Sequence, residues 1–127
     1  MTESAPMRLF ALRGATSVER DEPVQIGAAT AELMREIMAR NGLEPKAVVS
    51  CVFTATPDLV SEFPALAARQ LGFDSVPLLC AQEIPVPGSM PRVIRVLIHY
   101  YADDEHEPSH VYIGEAKALR ADLHAAQ

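Results

Sequence analysis

The spacing of apolar and polar positions predicts a long amphipathic helix near the start of the chain. The apolar stripe that recurs at helical spacing is Ile26, Thr30, Leu33 and Ile37. Asp21 and Pro23 precede it, and a capping side chain followed by proline is typical of a helix start. Asn41-Gly42 follows it as a stop signal. A second, shorter helix is expected from about Phe63 to Leu71, with Ser61 as its cap and Gly72 as its end.

Short runs of β-branched and apolar residues predict five strands around these helices. The runs cover residues 8–12, 47–55, 76–80, 92–101 and 110–113. Arg13-Gly14 is expected to close the first strand in a tight turn, and the second is apolar on both faces, as in a covered strand. Strands interleaved with two helices predict an α+β domain with a mixed sheet. Because two helices cannot cover both sheet faces, we expect one face to pack on another subunit.

Length and composition add limits on the class of protein. The chain has 127 residues, which predicts one domain over 7–127, after a loose extension at 1–6 and with a mobile tail over 114–127. The net charge of −6 disfavours nonspecific binding to nucleic acid or to an anionic membrane. No stretch has the length of a membrane span and the N-terminus is no secretory signal, so a cytoplasmic protein is expected.

Arg95 is the most informative single residue. It lies inside an apolar strand, on the same face as Val93 and Leu97, so its side chain is predicted to point into an apolar layer. An unpaired charge there is too costly, so the arginine needs a partner. Two interpretations remain open: a salt bridge to a nearby acid, and a binding site for an anion. The chain has nine arginines and only two lysines. The planar guanidinium group can make two parallel hydrogen bonds to a carboxylate, although codon bias explains the ratio equally well.

Other polar residues carry similar alternatives. Arg13 is either an exposed strand end or a group aimed at a cleft, and Glu83 either accepts a substrate hydroxyl or pairs with an arginine. Tyr112 is a core ring with a polar tip or a donor to a carboxylate. His106 and His110 are four apart, but Pro108 between them disfavours a helical metal site. No glycine-rich phosphate loop is present, and Cys80 and Cys51 are expected to be buried thiols.

Several segments together resemble one enzyme family, the small trimeric α/β class of chorismate mutases. The similarity covers residues 8–123 in the family's order, on 12–21 (LRGATSVERD), 55–59 (ATPDL) with 63–65 (FPA), 80–83 (CAQE), 94–96 (IRV) and 110–112 (HVY) with 119–123 (LRADL). The resemblance implies a homotrimer whose subunits form a barrel-like core, with sites in clefts between neighbouring subunits. It also implies the rearrangement of chorismate to prephenate, on the route to phenylalanine and tyrosine.

That reaction is a concerted rearrangement within one molecule, so it needs no nucleophile, metal, cofactor or proton transfer. Catalysis comes from holding the folded conformer and stabilising negative charge on the ether oxygen. By resemblance, Arg95 bonds that oxygen and a carboxylate, and Arg13 and Tyr112 grip carboxylates. Glu83 accepts the substrate hydroxyl, with Cys80 beside it.

The resemblance further implies an apolar wall and a charge at its mouth. The wall is matched by Phe63, Ala65, Leu78 and Leu119, with Leu119 closing over the site, and the charge by Arg69. Two positions depart from the family's best-known pattern: Leu66 stands in place of a lysine and Leu79 in place of a threonine. Either change removes a polar group without touching the central electrostatic role.

Two other functions fit the same pattern less well. One is an imine deaminase of a small trimeric family with a similar shape, which also uses an arginine at a subunit interface. The other is a non-catalytic trimer that binds an aromatic or carboxylate metabolite. The presence of Arg13, Glu83, Arg95 and Tyr112 together favours the mutase.

Overall fold

The structure, a computed structural model, describes residues 6–119. This part of the chain contains the strands β1 (Met7–Ser17), β2 (Val48–Ala55), β3 (Leu78–Gln82), β4 (Val93–Asp103) and β5 (Val111–Tyr112). It contains the helices α1 (Pro23–Asn41) and α2 (Pro64–Ala68), with 3-10 turns at Pro45–Ala47 and Gly114–Ala118 and a π-turn at Arg69–Phe73. Over residues 6–119, no helix has the length and apolar character to cross a membrane.

The five strands form one mixed sheet in the order β3-β2-β4-β1-β5. The long central strand β4 pairs antiparallel with β1 and β2, whereas the edge strands β3 and β5 pair parallel with β2 and β1. The predicted α+β class, with a mixed sheet and two helices, is therefore confirmed. Strand bounds differ by a few residues because pairing sets them: β3 starts at Leu78, where its ladder with Cys51 begins.

The first strand runs further than the sequence predicts. Arg13-Gly14 forms no turn, and β1 continues to Ser17 with every residue paired to β4. The glycine serves close packing instead: a Cβ there would lie 2.7 Å from Cδ1 of Ile37 and 3.3 Å from the carbonyl oxygen of Val111. Gly14 therefore lets α1 and β5 approach β1, and Arg13 becomes a mid-strand residue.

The helices cover one face of the sheet, and the core lies between them. The apolar side of α1 packs against the inward residues of the central strands, in a cluster that includes Leu33, Met34, Ile37, Leu12, Phe53, Ile98 and Tyr100. Each such aliphatic side chain contributes roughly 1.5–3 kcal/mol by leaving water. The opposite face, which we call the open face, exposes Leu9, Leu79, Leu97 and Tyr101 in this chain. This face is not covered within residues 6–119, and a partner subunit on it stays a prediction.

The helix ends follow the sequence only in part. Gly42 ends α1 in the left-handed conformation, with φ at 58°, as its stop signal predicts. The two predicted caps are wrong, because Glu22 and Phe63 occupy the N-cap positions and neither side chain caps the helix. The α-helical part of the second helix ends at Ala68, and the π-turn that follows contains Gly72 at φ 101°.

Asp21 has a different role from helix capping. Its Oδ1 accepts hydrogen bonds from the backbone N–H groups of Val60 and Ser61, at 3.1 and 3.0 Å. Interactions with Ser61 and with the N–H of Val60 lower the pKa of this carboxyl below its ordinary value. Asp21 therefore ties the loop before α1 to the loop before α2.

Candidate active site

The polar residues of the open face meet on three neighbouring strands. Thr54 of β2 lies directly opposite Arg95 of β4, and Arg13 of β1 lies opposite Leu97, two residues further along β4. Side chains two residues apart on a strand share a face, so both arginines project from the open face. They border a cavity of about 240 Å³, lined by Arg13, Gly14, Val52, Thr54, Arg95, Val96, Leu97 and Tyr112.

The side chain of Arg95 is more exposed than the sequence predicts. Its side chain is 45% exposed, because this sheet face is not covered within the chain. The predicted burial in an apolar layer is therefore wrong. The predicted acidic partner is present, since Nε of Arg95 lies 3.0 Å from Oε2 of Glu83, whose side chain is only 17% exposed. Among residues 6–119, the terminal nitrogens of Arg95 make no hydrogen bond, so they can contact a ligand.

Glu83 is held by its backbone as well as by its side chain. Its N–H donates to the carbonyl oxygen of Ala55 at 2.9 Å, which fixes the residue just beyond β3. From there the carboxylate reaches over β2, and Oε2 accepts a hydrogen bond from Oγ1 of Thr54 at 2.6 Å. Glu83, Thr54 and Arg95 thus form one connected group on adjacent strands.

Arg13 and Tyr112 are brought together by β5. The short parallel ladder pairs Ala15 with Tyr112, and the N–H of Ile113 donates to the carbonyl oxygen of Ala15 at 3.0 Å. Tyr112 is nearly buried, in a small cluster with Ala15 and Ala116 against which Leu119 packs. Leu119 therefore packs beside Tyr112, which lines the cavity, while its closure over the site stays a prediction.

Two arginines line the cavity and one glutamate pairs with one of them, which leaves an excess of positive charge. Glu83 pairs with Arg95, while in the stretch from 6 to 119 no carboxylate comes within ion-pair distance of the Arg13 guanidinium. Two neighbouring guanidinium groups suit a ligand with two carboxylates, because each can make two parallel hydrogen bonds to one carboxylate. The cavity therefore has the charge and donor pattern of a dianion site, even though the whole chain carries −6.

The predicted apolar residues lie elsewhere in the same chain. Phe63 and Cys80 line a second cavity of about 350 Å³, between the loop before α2 and the edge strand β3, which shares no lining residue with the first. Leu78 and Cys80 pack on the core side of the sheet, and Ala65 is buried in the core and lines neither cavity. Within one chain, the polar and apolar sets therefore do not surround a common space.

Three further predicted positions are exposed. Leu79 points from the open face of β3, Leu66 lies on α2, and Arg69 begins the π-turn. The thiols differ in burial: Cys80 is half-buried, whereas burial raises the pKa of Cys51 to about 12. Among residues 6–119, no group of three or more His, Cys, Asp or Glu side chains is arranged to hold a metal ion.

Comparison with known proteins decides what kind of site this is. The family model described as "Chorismate mutase type I" matches residues 9–123. The chain belongs to the type I chorismate mutase family. Curated relatives include "Chorismate mutase AroH" of Thermus thermophilus, 49% identical over 91% of this chain and 97% of that protein, and "Chorismate mutase AroH" of Bacillus subtilis (strain 168), 40% identical over 92% and 94%.

The fold of a chorismate mutase is also found by structural comparison. The solved structure "Chorismate mutase from Clostridium thermocellum Cth-682" is similar with a TM-score of 0.83 and 43% identity, covering 87% of this chain and 99% of that one. The family expected from the sequence segments is thus confirmed, and the deaminase and the non-catalytic binding protein are set aside.

Asp58 of this chorismate mutase stabilises a turn through a hydrogen bond from the backbone. Oδ2 of Asp58, in the Thr-Pro-Asp-Leu segment, accepts the N–H of Arg92 at 2.9 Å, where the backbone has a φ of 53°. That left-handed conformation is unusual for a side chain of this size. Asp58 therefore helps to hold the turn that starts β4 and leads to Arg95.

Sequence reasoning missed two residues that hold the cavity residues of this chorismate mutase in place. Thr54 contacts Glu83, and Nδ1 of His110 accepts the backbone N–H of Arg13 at 2.9 Å. These partners are 29 and 97 positions apart. Thr54 is marked in the sequence only as a polar side chain in a mostly apolar strand, and His110 as part of the 110–112 segment and of a metal-like spacing, neither of which predicts these contacts.

Proposed function

We propose that the open-face cavity is where this chorismate mutase converts chorismate into prephenate. The observation that carries the proposal is the convergence of Arg13, Arg95 and Tyr112 on one cavity, with Glu83 in an ion pair with Arg95 at 3.0 Å. Chorismate has two carboxylates, a hydroxyl and an ether oxygen. The two arginines supply positive charge for the carboxylates and for the ether oxygen. Oε1 of Glu83 is an acceptor for the hydroxyl.

In the proposed mechanism the enzyme holds the reactive conformer and stabilises charge. Arg13 and Tyr112 bind carboxylates and fix the folded substrate, which removes the entropy cost from the chemical step. As the ether C–O bond breaks and the new C–C bond forms in one step, negative charge grows on the ether oxygen. Arg95, held by Glu83, stabilises this charge more strongly in the transition state than in the ground state, and this difference raises the rate.

The apolar wall is proposed to come from a neighbouring subunit. Phe63 and Cys80 line a cavity separate from that of the arginines, so one chain does not surround the substrate with both sets. A neighbour that covers the exposed apolar open face with its β3 edge would bring them together. This supports the homotrimer that the family resemblance implies, while the cytoplasmic location stays a prediction of the sequence.

The direct test is the loss of the ultraviolet absorbance of chorismate on addition of the purified protein. We expect conversion far above the spontaneous rate, with prephenate as the product. A rate equal to the spontaneous one in freshly purified, folded protein would contradict the function.

The shared site is tested by mixing two variants. Arg95→Ala removes the proposed charge stabilisation, and Phe63→Asp places an anion against the dianionic substrate. If neighbours share each site, subunit exchange between the two inactive variants restores a fraction of the activity, because some sites receive both intact residues. A chain carrying both substitutions, mixed with either single variant, is the control and restores none. Activity no greater than the sum of the parents, after demonstrated exchange, would refute a shared site.

A further inference from the structure

The hydroxyl of Thr54 is a polar group of the open-face cavity that the expected mechanism does not use. Its Oγ1 donates to Oε2 of Glu83 across 2.6 Å, a distance typical of a hydroxyl bonded to an ionised carboxylate. The side chain is half-buried and lines the same cavity as Arg13 and Arg95. Because threonine is branched at Cβ, few χ1 rotamers are available to it, and this restricts the direction of its hydroxyl.

Both contacts of the Glu83 carboxylate fall on a single oxygen. Oε2 receives the hydroxyl of Thr54 and the Nε of Arg95, at 2.6 and 3.0 Å. Within the described residues, Oε1 takes part in no hydrogen bond. The backbone bond from Glu83 to Ala55 fixes the base of the side chain, so the orientation of the carboxylate is left to its contacts with Thr54 and Arg95.

A carboxylate facing an arginine has a competing arrangement. Arginine and carboxylate frequently form two parallel hydrogen bonds, which would take up both oxygens of Glu83 and two nitrogens of Arg95. Such a pair would leave less of either group for a substrate. A donor on the neighbouring strand, directly opposite Arg95, holds Oε2 in place and opposes this rotation.

We propose that Thr54 is a positioning residue of the reaction. It holds Glu83 in a contact through one oxygen with Arg95, so that Oε1 of Glu83 and the terminal nitrogens of Arg95 face the substrate. This proposal rests on the proposed function of the cavity and adds to it a residue that touches Glu83 without being required to touch chorismate.

The test compares Thr54→Val, which removes the hydroxyl at nearly constant shape, with Thr54→Ser, which keeps it. We expect Thr54→Val to lose roughly tenfold or more in kcat, the effect of one hydrogen bond to a charged group, with a smaller change in KM. Thr54→Ser should retain most of the activity. Thr30→Val is the matched control: Thr30 is buried on α1 without a hydrogen-bond partner in the described residues, so kcat should not change.

A double-mutant cycle separates positioning from a general structural effect. In a Glu83→Ala background, Thr54→Val should cause no further loss of kcat, because the carboxylate that it positions is absent. Normal kcat in Thr54→Val, equal damage in Thr54→Ser, or the same loss in the Glu83→Ala background would each overturn the proposal. Failure of the wild-type protein to convert chorismate would instead overturn the proposed function, and the same assay reports it separately.

Discussion

The imidazole of His110 takes the place of a main-chain acceptor beside β1. Its Nδ1 accepts the backbone N–H of Arg13 across 2.9 Å, next to the short ladder that pairs Gly14 with Val111 and Ala15 with Tyr112. The side chain thereby extends a two-residue strand by one more bond. It links the positions of Arg13 and Tyr112, the two residues proposed to bind carboxylates.

Replacement of His110 should affect activity according to whether the acceptor is kept. The amide oxygen of His110→Asn can occupy the place of Nδ1, whereas His110→Leu leaves the N–H of Arg13 without this partner. We expect His110→Leu to lose about 1 kcal/mol of stability and to lower kcat/KM several-fold, with His110→Asn much closer to wild type. Steady-state kinetics and urea unfolding measure both effects. Equal kcat/KM in all three proteins would show that the bond does not position Arg13.

Arg95→Ala should remove most of the rate enhancement. If Arg95 stabilises the developing charge, its loss should cost on the order of 10²–10³ in kcat, the scale measured for one preorganised donor. Arg95→Lys keeps the charge but not the guanidinium geometry, so an intermediate rate is expected. Arg40→Ala is the control, because Arg40 makes a half-exposed ion pair with Glu36 on α1, and it should leave kcat unchanged. Near-normal turnover in Arg95→Ala would rule out the proposed mechanism.

Gly14 and Gly27 should respond to alanine in opposite ways. A Cβ at Gly14 would meet Cδ1 of Ile37 at 2.7 Å and Cδ1 of Leu33 at 3.2 Å, so we expect a loss of about 1–3 kcal/mol from overpacking. At Gly27, within α1, a Cβ meets nothing within 4 Å, and alanine should stabilise by roughly 0.5–1 kcal/mol. Unfolding in urea measures both changes. A stable Gly14→Ala protein would contradict the packing described for α1 on β1.

Alkaline pH should weaken the fold through two buried groups. Burial raises the pKa of Cys51 and of Tyr100 to about 12, from ordinary values of 9.0 and 10.0. The unfolded chain then releases these protons at lower pH than the native protein does. The contribution of the two groups to the free energy of unfolding is therefore fully present below about pH 9 and is lost as the pH rises towards about 12.

The measurement is the urea midpoint at about pH 8 and at about pH 11. We expect Cys51→Ala to show a smaller drop between the two than the wild type, even though its midpoint at the lower pH is reduced by the lost side chain. The hydroxyl of Tyr100 lies 2.6 Å from Nε2 of His106, so Tyr100→Phe loses that bond at both pH values and should also show a smaller drop. An unchanged drop in both variants would show that neither group is responsible.

The local pattern of the chain predicted the number and order of its helices and strands, although not all of their ends. The apolar stripe of α1 and the glycine that ends it are set by residues within about four positions of one another, and such signals survive in the sequence. The motifs around Arg13, Glu83 and Arg95 likewise identified the family, because a reaction that relies on fixed charges needs those residue types.

Only the tertiary structure decided how these residues are arranged. Because β1 pairs with β4 along its whole length, the strand continues past Gly14 to Ser17. Arg95 is half exposed rather than buried, because no layer within the described chain covers that face of the sheet. The bonds of Thr54 to Glu83 and of His110 to Arg13 join positions 29 and 97 apart. Strand order and burial depend on contacts between distant segments, and no local period along the chain records which segments will meet.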